Sequence, residues 1–258
     1  MKFLIVTTFA LLVGFTGAVS HADSFKSVEK KENYVGVYEM YARYPQLLPQ
    51  SVVSSYEIIN KQIEEMALQG CGASAEEIKQ EIEEFYGKDS QISYDSSINA
   101  KIVGLNPNYV GVEANSSSFC GGAHPNYGTY YLTFDSKTGE YISFDTEVPL
   151  QNSFDKDWEK FQAFQKELAK IIYKNIAPQI AKDAESYNGC YSEQSKQEVL
   201  ESLEMFYPMI SGYAANKKVV LTINPPHVAT PCALSVRVPF SQVEKFFAPN
   251  AKAKQWLK

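Results

Sequence analysis

The residues with the clearest chemical potential lie in the segment CGGAHPNYG, residues 120–128, which contains His124. An imidazole titrates near neutral pH, so His124 could act as a general base. A catalytic base needs a nucleophile or a water molecule, and in most enzymes a carboxylate orients it. The sequence has no acidic residue between Glu113 and Asp135. We therefore predict that His124 holds a corner of the chain, with ligand contact or catalysis as the alternatives.

The neighbours of His124 favour this structural interpretation. Gly121 and Gly122 can adopt backbone angles that are closed to other residues. Pro125 holds the residue before it in an extended conformation. A ligand or partner could still contact the surface that this loop shapes. The predicted ligand or partner surface consists of His124, Asn126, Tyr127 and His227.

The first 22 residues have the pattern of a secretory signal peptide. Lys2 is followed by an apolar stretch, residues 3–19, and by the small-residue pattern Ser20-His21-Ala22. We predict cleavage after Ala22, with an uncleaved anchor as the alternative. No cysteine lies before Cys71, so no thiol near the cleavage site could carry a lipid. The mature protein is then expected to be periplasmic or secreted, without stable membrane insertion.

The cysteines of the mature chain are even in number, which predicts two disulfides in an exported protein. Three pairings are possible. We favour the two pairs that join neighbours along the chain, because each would crosslink one half of the molecule. These pairs are Cys71 with Cys120 and Cys190 with Cys232. A Cys120 thiol that acts as a nucleophile is disfavoured, since a bridged sulfur is inert.

Metal and cofactor sites are not expected from this sequence. The cysteine spacings match no zinc-ribbon or CxxC pattern. After signal cleavage, His124 and His227 are the only histidines, and no HExxH helix is present to hold zinc. We therefore predict neither a bound metal nor a cofactor.

The charge of the chain limits its partners. The net charge is -6 at pH 7, which makes nucleic acids and anionic membranes poor partners. The strongest local charge lies in EEIKQEIEEFYGKD, residues 76–89. Helical spacing places these acidic residues on the polar side of an amphipathic helix, and such a side is ordinarily just solvated. The alternative is a negative patch for a cationic partner such as a lysozyme-type enzyme.

Serine and glutamate three residues apart mark several helix starts, because the two side chains can cap the first turn reciprocally. Four such capping boxes are predicted, at Ser54 and Glu57, Ser74 and Glu77, Ser195 and Glu198, and Ser241 and Glu244. A longer helix is predicted from Phe154 to Ile180, with Trp158 and Phe161 on its apolar face. Pro178 is expected to kink or end this helix.

Strands are predicted where apolar residues alternate with polar ones or where aromatic and β-branched residues concentrate. Tyr34–Tyr44 is predicted as an opening strand. The alternation between Ile92 and Phe144 predicts an antiparallel meander of about four strands, the last at Ile142 and Phe144. The segments KKVVLTI and LSVRVPF predict two more. Together these patterns predict an α+β fold in two successive half-domains, residues 23–125 and 126–258.

Several segments in this order carry a family resemblance. They are Tyr44-Pro45, Ile59-Asn60, Gly121-Gly122-Ala123-His124-Pro125-Asn126, TFDSKTGEYISF and VPFSQVEKFF. Together they resemble a secreted bacterial family of paired domains of unknown function. This family occurs in the extracellular region of the anti-sigma factor that senses lysozyme, and ahead of the catalytic domain of a peptidoglycan deacetylase. The resemblance implies an envelope protein whose two halves pack together, and in one member a surface that binds lysozyme. The sequence shows no transmembrane helix and no sigma-binding segment, so we do not expect the anti-sigma role. It ends soon after the second domain, at Lys258, so we expect no deacetylase domain.

These observations together predict an exported, non-enzymatic binding module of the bacterial cell envelope. Its predicted partner is a lysozyme-type protein or a cell-wall glycan. The alternative is a peptidoglycan-directed hydrolase that uses His124.

Overall fold

Helices and strands make up most of the computed structural model. It describes residues 25–34, 38–48, 55–68, 71, 75–88, 94–121, 125–182, 190–191, 194–225 and 232–257. Outside these residues lie several predicted features: the signal peptide, Ser54, Ser74, Gly122, His124 and His227. The fold is α+β, as predicted. No helix in the described part of the chain is both long and apolar enough to cross a membrane.

The elements follow one another in this order. The strands are β1 (Phe25–Tyr34), β2 (Tyr38–Leu47), β3 (Tyr94–Leu105), β4 (Tyr109–Phe119), β5 (Asn126–Asp135), β6 (Met209–Ala214), β7 (Lys218–Ile223) and β8 (Leu234–Pro239). The helices are α1 (Ser55–Ala67), α2 (Ala75–Tyr86), α3 (Phe144–Glu147), α4 (Trp158–Lys182), α5 (Lys196–Met205) and α6 (Ala253–Trp256). Short 3₁₀ turns occupy Pro149–Asn152, Phe240–Gln242 and Glu244–Phe246.

The chain divides into two compact units. Unit 1 takes the described residues of Met1–Ile102, Glu113–Tyr130 and Ser136–Glu140. Unit 2 takes those of Val103–Val112, Tyr131–Asp135 and Tyr141–Lys258. Strands β3, β4 and β5 therefore contribute residues to both units. The predicted half-domains, residues 23–125 and 126–258, stay a prediction.

Five strands form one sheet in the order β1-β2-β3-β4-β5. The β1–β2 pair is antiparallel, and the β2–β3 pair is parallel. A parallel pair needs a long crossover connection, and the chain that carries α1 and α2 supplies it. At the turn between β3 and β4, the side-chain oxygen of Asn106 accepts hydrogen bonds from the backbone N–H groups of Asn108 and Tyr109, at 2.8 and 3.2 Å. Asparagine favours tight turns for this reason.

The first predicted strand differs from the observed one at both ends. β2 runs from Tyr38 to Leu47, so Pro45 does not end it. The register with β3 stops at Arg43, and Pro45 pairs only with Ser27 of β1. A proline is tolerated at this position because no strand on the other side needs its missing N–H group.

The predicted fourth strand of the meander is wrong. Tyr141 forms an isolated bridge with Phe134, and the Ile142 N–H donates to the Thr133 carbonyl at 2.8 Å. Pairing ends there because the buried Phe144 begins the helical turn α3.

Two of the four predicted capping boxes can be compared directly with the structure. Ser195 and Glu198 form the predicted capping box at the start of α5. The box predicted at Ser241 and Glu244 is wrong, because two 3₁₀ turns without side-chain caps occupy this segment. Their buried residues, Phe240, Val243 and Phe246, recur every third position, which matches the three residues per turn of a 3₁₀ helix.

The largest hydrophobic cluster lies in unit 2. It joins the sheet β6-β7-β8, whose two pairs are antiparallel, with α4, α5 and the C-terminal segment. Helix α4 passes Pro178 and ends at Lys182, only about one turn later. Trp158 and Phe161 differ in environment, since Phe161 is buried and Trp158 is exposed.

Candidate functional site

The corner at Gly121 is held by close packing in unit 1. Gly121 has a φ of +82°, in the left-handed region that favours glycine. A Cβ atom at this position would lie 2.5 Å from the hydroxyl oxygen of Tyr94. Any side chain would therefore force the backbone or Tyr94 to move.

A disulfide joins this corner to the loop between α1 and α2. Cys71 and Cys120 are bonded, with their Cα atoms 5.4 Å apart, and Cys190 is bonded to Cys232. These are the favoured pairs, so that prediction is confirmed. Crosslinked cysteines do not act as nucleophiles, which removes the Cys120 thiol as a reactive group.

Tyr94 links the corner to helix α2. It packs with Ile78 and Ile82 of α2 and lies edge to face with Phe119, at 6.3 Å between ring centroids. Burial raises the pKa of the Tyr94 hydroxyl, and nearby Glu81 and Tyr86 raise it further. The polar side of α2 and the Gly121 corner therefore lie close together.

The exposed side of α2 combines carboxylates with aromatic rings. Helix α2 contains five glutamates and one lysine, and it buries Ile78 and Ile82. At its C-terminal end, Phe85 is 71% exposed and Tyr86 is also exposed. Large aromatic side chains in solvent are candidates for interface anchors. We define the α2 surface as Glu77, Glu81, Glu84, Phe85 and Tyr86.

The structure places only part of the predicted ligand surface. Pro125, Asn126 and Tyr127 are all exposed at the start of β5. Farther along this strand, the Thr129 hydroxyl donates to the Asn115 side-chain oxygen at 2.8 Å, which ties β5 to β4. His124 and His227 lie outside the described residues, so their proximity to Tyr127, and the hydrolase alternative, stay predictions.

The best-connected carboxylate of unit 2 has a structural role. Glu147 is 6% exposed and accepts hydrogen bonds from the Tyr213 hydroxyl and from the backbone N–H groups of Lys252 and Ala253, at 3.0 and 3.1 Å. Burial raises the pKa of Tyr213, and the Glu147 charge raises it further. The Glu147 carboxylate is committed to holding α6 through these hydrogen bonds, which leaves it little capacity for acid–base chemistry. Among the described residues, no three His, Cys, Asp or Glu side chains are grouped to hold a metal ion.

Sequence reasoning misses a second aromatic surface, in unit 2. We call it the aromatic cluster, and it consists of Phe154, Trp158, Phe161 and Tyr207. The Phe154 ring lies 4.9 Å from that of Trp158 and 5.4 Å from that of Phe161. The spacing of the first three residues is visible in the sequence but predicts only an apolar helix face. No sequence signal links them to Tyr207.

No protein-family model and no curated protein matches this chain. Solved structures that resemble it include two of the DUF3298 family. One is a DUF3298 family protein from Pseudomonas aeruginosa PAO1, with 15% identity, a TM-score of 0.47, and coverage of 90% of this chain and 97% of that one. The other is a DUF3298 family member from Bacteroides fragilis, with 14% identity, a TM-score of 0.51, and coverage of 91% and 97%. The second likeness shows a shared fold.

Proposed function

We propose that this chain is an exported, non-enzymatic binding module of the bacterial cell envelope, and that its α2 surface binds a cationic protein of the lysozyme type. The observation that carries this proposal is the concentration of carboxylates beside the exposed rings of Phe85 and Tyr86. Two disulfides support an oxidising compartment outside the cytoplasm.

Electrostatics supports a cationic partner. Glutamates on one helix face create a negative potential that attracts a positively charged protein and speeds its association. Lys79 offsets part of this charge through its ion pair with Glu83, at 3.8 Å, whereas Glu81 and Glu84 are exposed. These two side chains therefore carry the charge that a partner would meet.

The aromatic side chains supply the short-range part of the interaction. A ring that becomes desolvated in an interface contributes more than a rim charge, which is screened by salt. Phe85 and Tyr86 sit at the C-terminal end of a helix that is anchored by the buried Ile78 and Ile82. An anchored helix loses little conformational entropy on binding, which favours affinity.

The choice of a lysozyme-type partner comes from the sequence. The segments around Tyr44-Pro45 and Gly121–Asn126 resemble the paired domains of the lysozyme-sensing anti-sigma factor. The fold shared with a DUF3298 family member is compatible with this resemblance.

The test is calorimetric titration of the mature chain with a chicken-type lysozyme. We expect binding at about 0.02 M salt that weakens at about 0.15 M, because exposed charges are screened. The double variant Glu81→Lys, Glu84→Lys should bind about tenfold or more weakly, and Phe85→Ala should weaken binding with little change in its salt dependence. The matched control, Glu159→Lys with Glu201→Lys, makes the same charge change on exposed helix positions of unit 2.

Two results would count against this proposal. No binding by the unmodified chain at low salt would remove the lysozyme-type partner, and equal losses in the two double variants would remove the α2 surface. Turnover of peptidoglycan by the purified chain, lost in His124→Ala with the fold intact, would establish the hydrolase alternative instead.

A further inference from the structure

The aromatic cluster exposes three of its four rings although they contact one another. Phe154, Trp158 and Tyr207 are each nearly half exposed, while Phe161 is buried beneath them. The Tyr207 ring lies 5.9 Å from that of Phe161 and 6.3 Å from that of Phe154. Contiguous exposed rings of this kind mark binding sites more often than they mark ordinary surface.

The backbone at Tyr207 is held in an unfavourable conformation. Its φ is +48°, in the left-handed region that a bulky side chain rarely adopts. This conformation carries an energetic cost in a residue other than glycine. Glycine would remove that cost, but it would also remove the ring that packs on Phe161. The presence of tyrosine at this position therefore favours a role for the ring.

Two buried amide atoms next to the aromatic cluster have no hydrogen-bond partner in the described part of the chain. They are Nε2 of Gln151 and Oε1 of Gln165. The two residues are 9% and 4% exposed. A buried polar atom without a partner destabilises the fold, so it calls for an explanation.

Both glutamines lie on the segments that carry the aromatic cluster. Gln165 lies one helical turn after Phe161 and two turns after Trp158, on the same stripe of α4. Gln151 is in the 3₁₀ turn that leads to Phe154, and its Oε1 accepts the Ile210 N–H at 2.5 Å, just beyond Tyr207. The segments that carry the rings therefore also carry one spare donor and one spare acceptor.

From this arrangement we propose that the aromatic cluster binds a saccharide that carries an acetamido group. The apolar face of a pyranose ring stacks on Trp158 and Tyr207. The acetamido carbonyl accepts from Gln151 Nε2, and the acetamido N–H donates to Gln165 Oε1. Exposed side chains rotate rapidly, so the half-exposed ring of Phe154, which is not part of the stacking platform, can move aside to admit this group.

The polar rim fits the hydroxyl groups of a saccharide. Asp155, Lys156 and Glu159 are exposed beside Phe154 and Trp158. Charged groups of both signs can donate to or accept from sugar hydroxyls. An apolar protein segment would leave these side chains without matching groups. The proposal rests on the proposed function only in taking the chain to be an exported binding module.

The test is calorimetric titration of the mature chain, without lysozyme, with the trimer of N-acetylglucosamine. Cellotriose, the corresponding trimer with hydroxyls in place of acetamido groups, is the second probe. We expect the N-acetylated trimer to bind and cellotriose to bind at least about tenfold more weakly, because only the former pairs with both amide atoms.

Three variants separate binding from folding. Tyr207→Gly should keep or raise the melting temperature, because glycine accepts the backbone conformation, yet weaken binding of the N-acetylated trimer about tenfold. Trp158→Ala should weaken it similarly. Gln165→Leu should raise the melting temperature, since it removes a buried unpaired atom, and should abolish the preference over cellotriose. Phe25→Ala, which removes an exposed aromatic of unit 1 that lies in none of the candidate surfaces, is the control and should bind like the unmodified chain.

Several results would overturn this inference. They are a dissociation constant above about 1 mM for the N-acetylated trimer, equal affinity for the two trimers, or unchanged binding by Tyr207→Gly. Failure here is distinguishable from failure of the proposed function, because Glu81→Lys with Glu84→Lys should leave saccharide binding unchanged. Binding of a tyrosine- or tryptophan-containing peptide in place of the saccharide would likewise replace the ligand class.

Discussion

Glu147 in unit 2 and Glu64 in unit 1 each accept a hydrogen bond from a tyrosine, but in different surroundings. Glu147 is buried, and its other bonds come from two backbone N–H groups at the start of α6. The side chain of Glu64 is 41% exposed, and it is bonded to Lys30 as well as to Tyr44, at 3.2 Å. The pair of a tyrosine hydroxyl and a carboxylate is thus part of a buried anchor in one unit. In the other unit it adjoins a partly solvated ion pair.

The contrast shows that burial, rather than the identity of the partners, determines how much such a pair contributes. Water can replace a lost partner of Glu64, so its contribution is small and sensitive to salt. Water cannot readily replace the carboxylate of Glu147, so its loss leaves buried donors unpaired. We expect unit 2 to depend on Glu147 and unit 1 to depend more on its disulfide.

The largest effect is expected from Glu147→Ala. Removing the carboxylate leaves the Tyr213 hydroxyl and the N–H groups of Lys252 and Ala253 without their acceptor. The free energy of unfolding should fall by about 3–5 kcal/mol, measured by urea denaturation monitored by circular dichroism. Glu159→Ala, at an exposed position, should change it by less than about 0.5 kcal/mol. A loss below about 1 kcal/mol for Glu147→Ala would contradict the anchor role.

The second effect concerns the covalent crosslink of unit 1. Cys71→Ser with Cys120→Ser opens a loop of 49 residues and should cost about 2–4 kcal/mol. Hydrogen exchange should then increase mainly in α2 and near Tyr94, which pack around this disulfide. An equal increase in hydrogen exchange in β6, β7 and β8 would show that the two units do not differ in what stabilises them.

Patterns that depend on nearby residues predict the structure best. The capping box of Ser195 and Glu198 is correctly predicted because both of its hydrogen bonds form within one helical turn. β1 carries no alternation, and its sequence, FKSVEKKENY, is a strand only because it pairs along its length with β2. A distant partner of this kind leaves no local signal.

The two candidate surfaces differ in the same respect, since a local pattern predicts one of them and the other depends on the tertiary fold. The acidic and amphipathic pattern of α2 predicts its polar side, because helical periodicity turns Glu77 and Glu84 away from the stripe of Ile78. Periodicity also places Trp158 on the apolar face of α4, but it does not say what covers that face. Tyr207 reaches Phe154 and Phe161 only through the tertiary fold, so the aromatic cluster has no complete signature in the sequence.

The third effect appears in alkali. Burial raises the pKa of Tyr109 to about 12, and it does the same for Tyr191, whose hydroxyl donates to the Cys232 carbonyl at 2.7 Å. In the unfolded chain these hydroxyls lose their protons near pH 10.0. Their contribution to stability is therefore complete below about pH 10 and is lost as the pH rises toward about 12.

Tyr109→Phe tests this expectation. The fall in unfolding free energy between about pH 10 and pH 12 should become shallower by up to about 2–3 kcal/mol, as measured by urea denaturation at each pH. Tyr44→Phe in unit 1 should change the alkaline slope less, since burial raises the pKa of Tyr44 but the Lys30 charge opposes that rise. If the two variants gave equal slopes, burial would not distinguish the two tyrosines.

The smallest effect is expected from Glu64→Gln. The hydrogen bond and charge of Lys30 lower the pKa of Glu64 below its ordinary value of 4.5. A lowered folded-state pKa stabilises the fold above pH 4.5, and this contribution is lost as the pH falls through the lower value. Because the pair is partly exposed, the variant should lose less than about 1 kcal/mol at neutral pH, and the difference from the unmodified chain should vanish in acid.

Salt separates this effect from that of Glu147→Ala. At about 1 M salt the screening length is about 3 Å, so the exposed pair of Lys30 and Glu64 should contribute nothing measurable. The loss caused by Glu147→Ala should persist, because its partners are buried and two of them are uncharged backbone groups. A salt-independent loss in Glu64→Gln would mean that Glu64 also acts as a buried anchor, and the contrast between the two carboxylates would then fail.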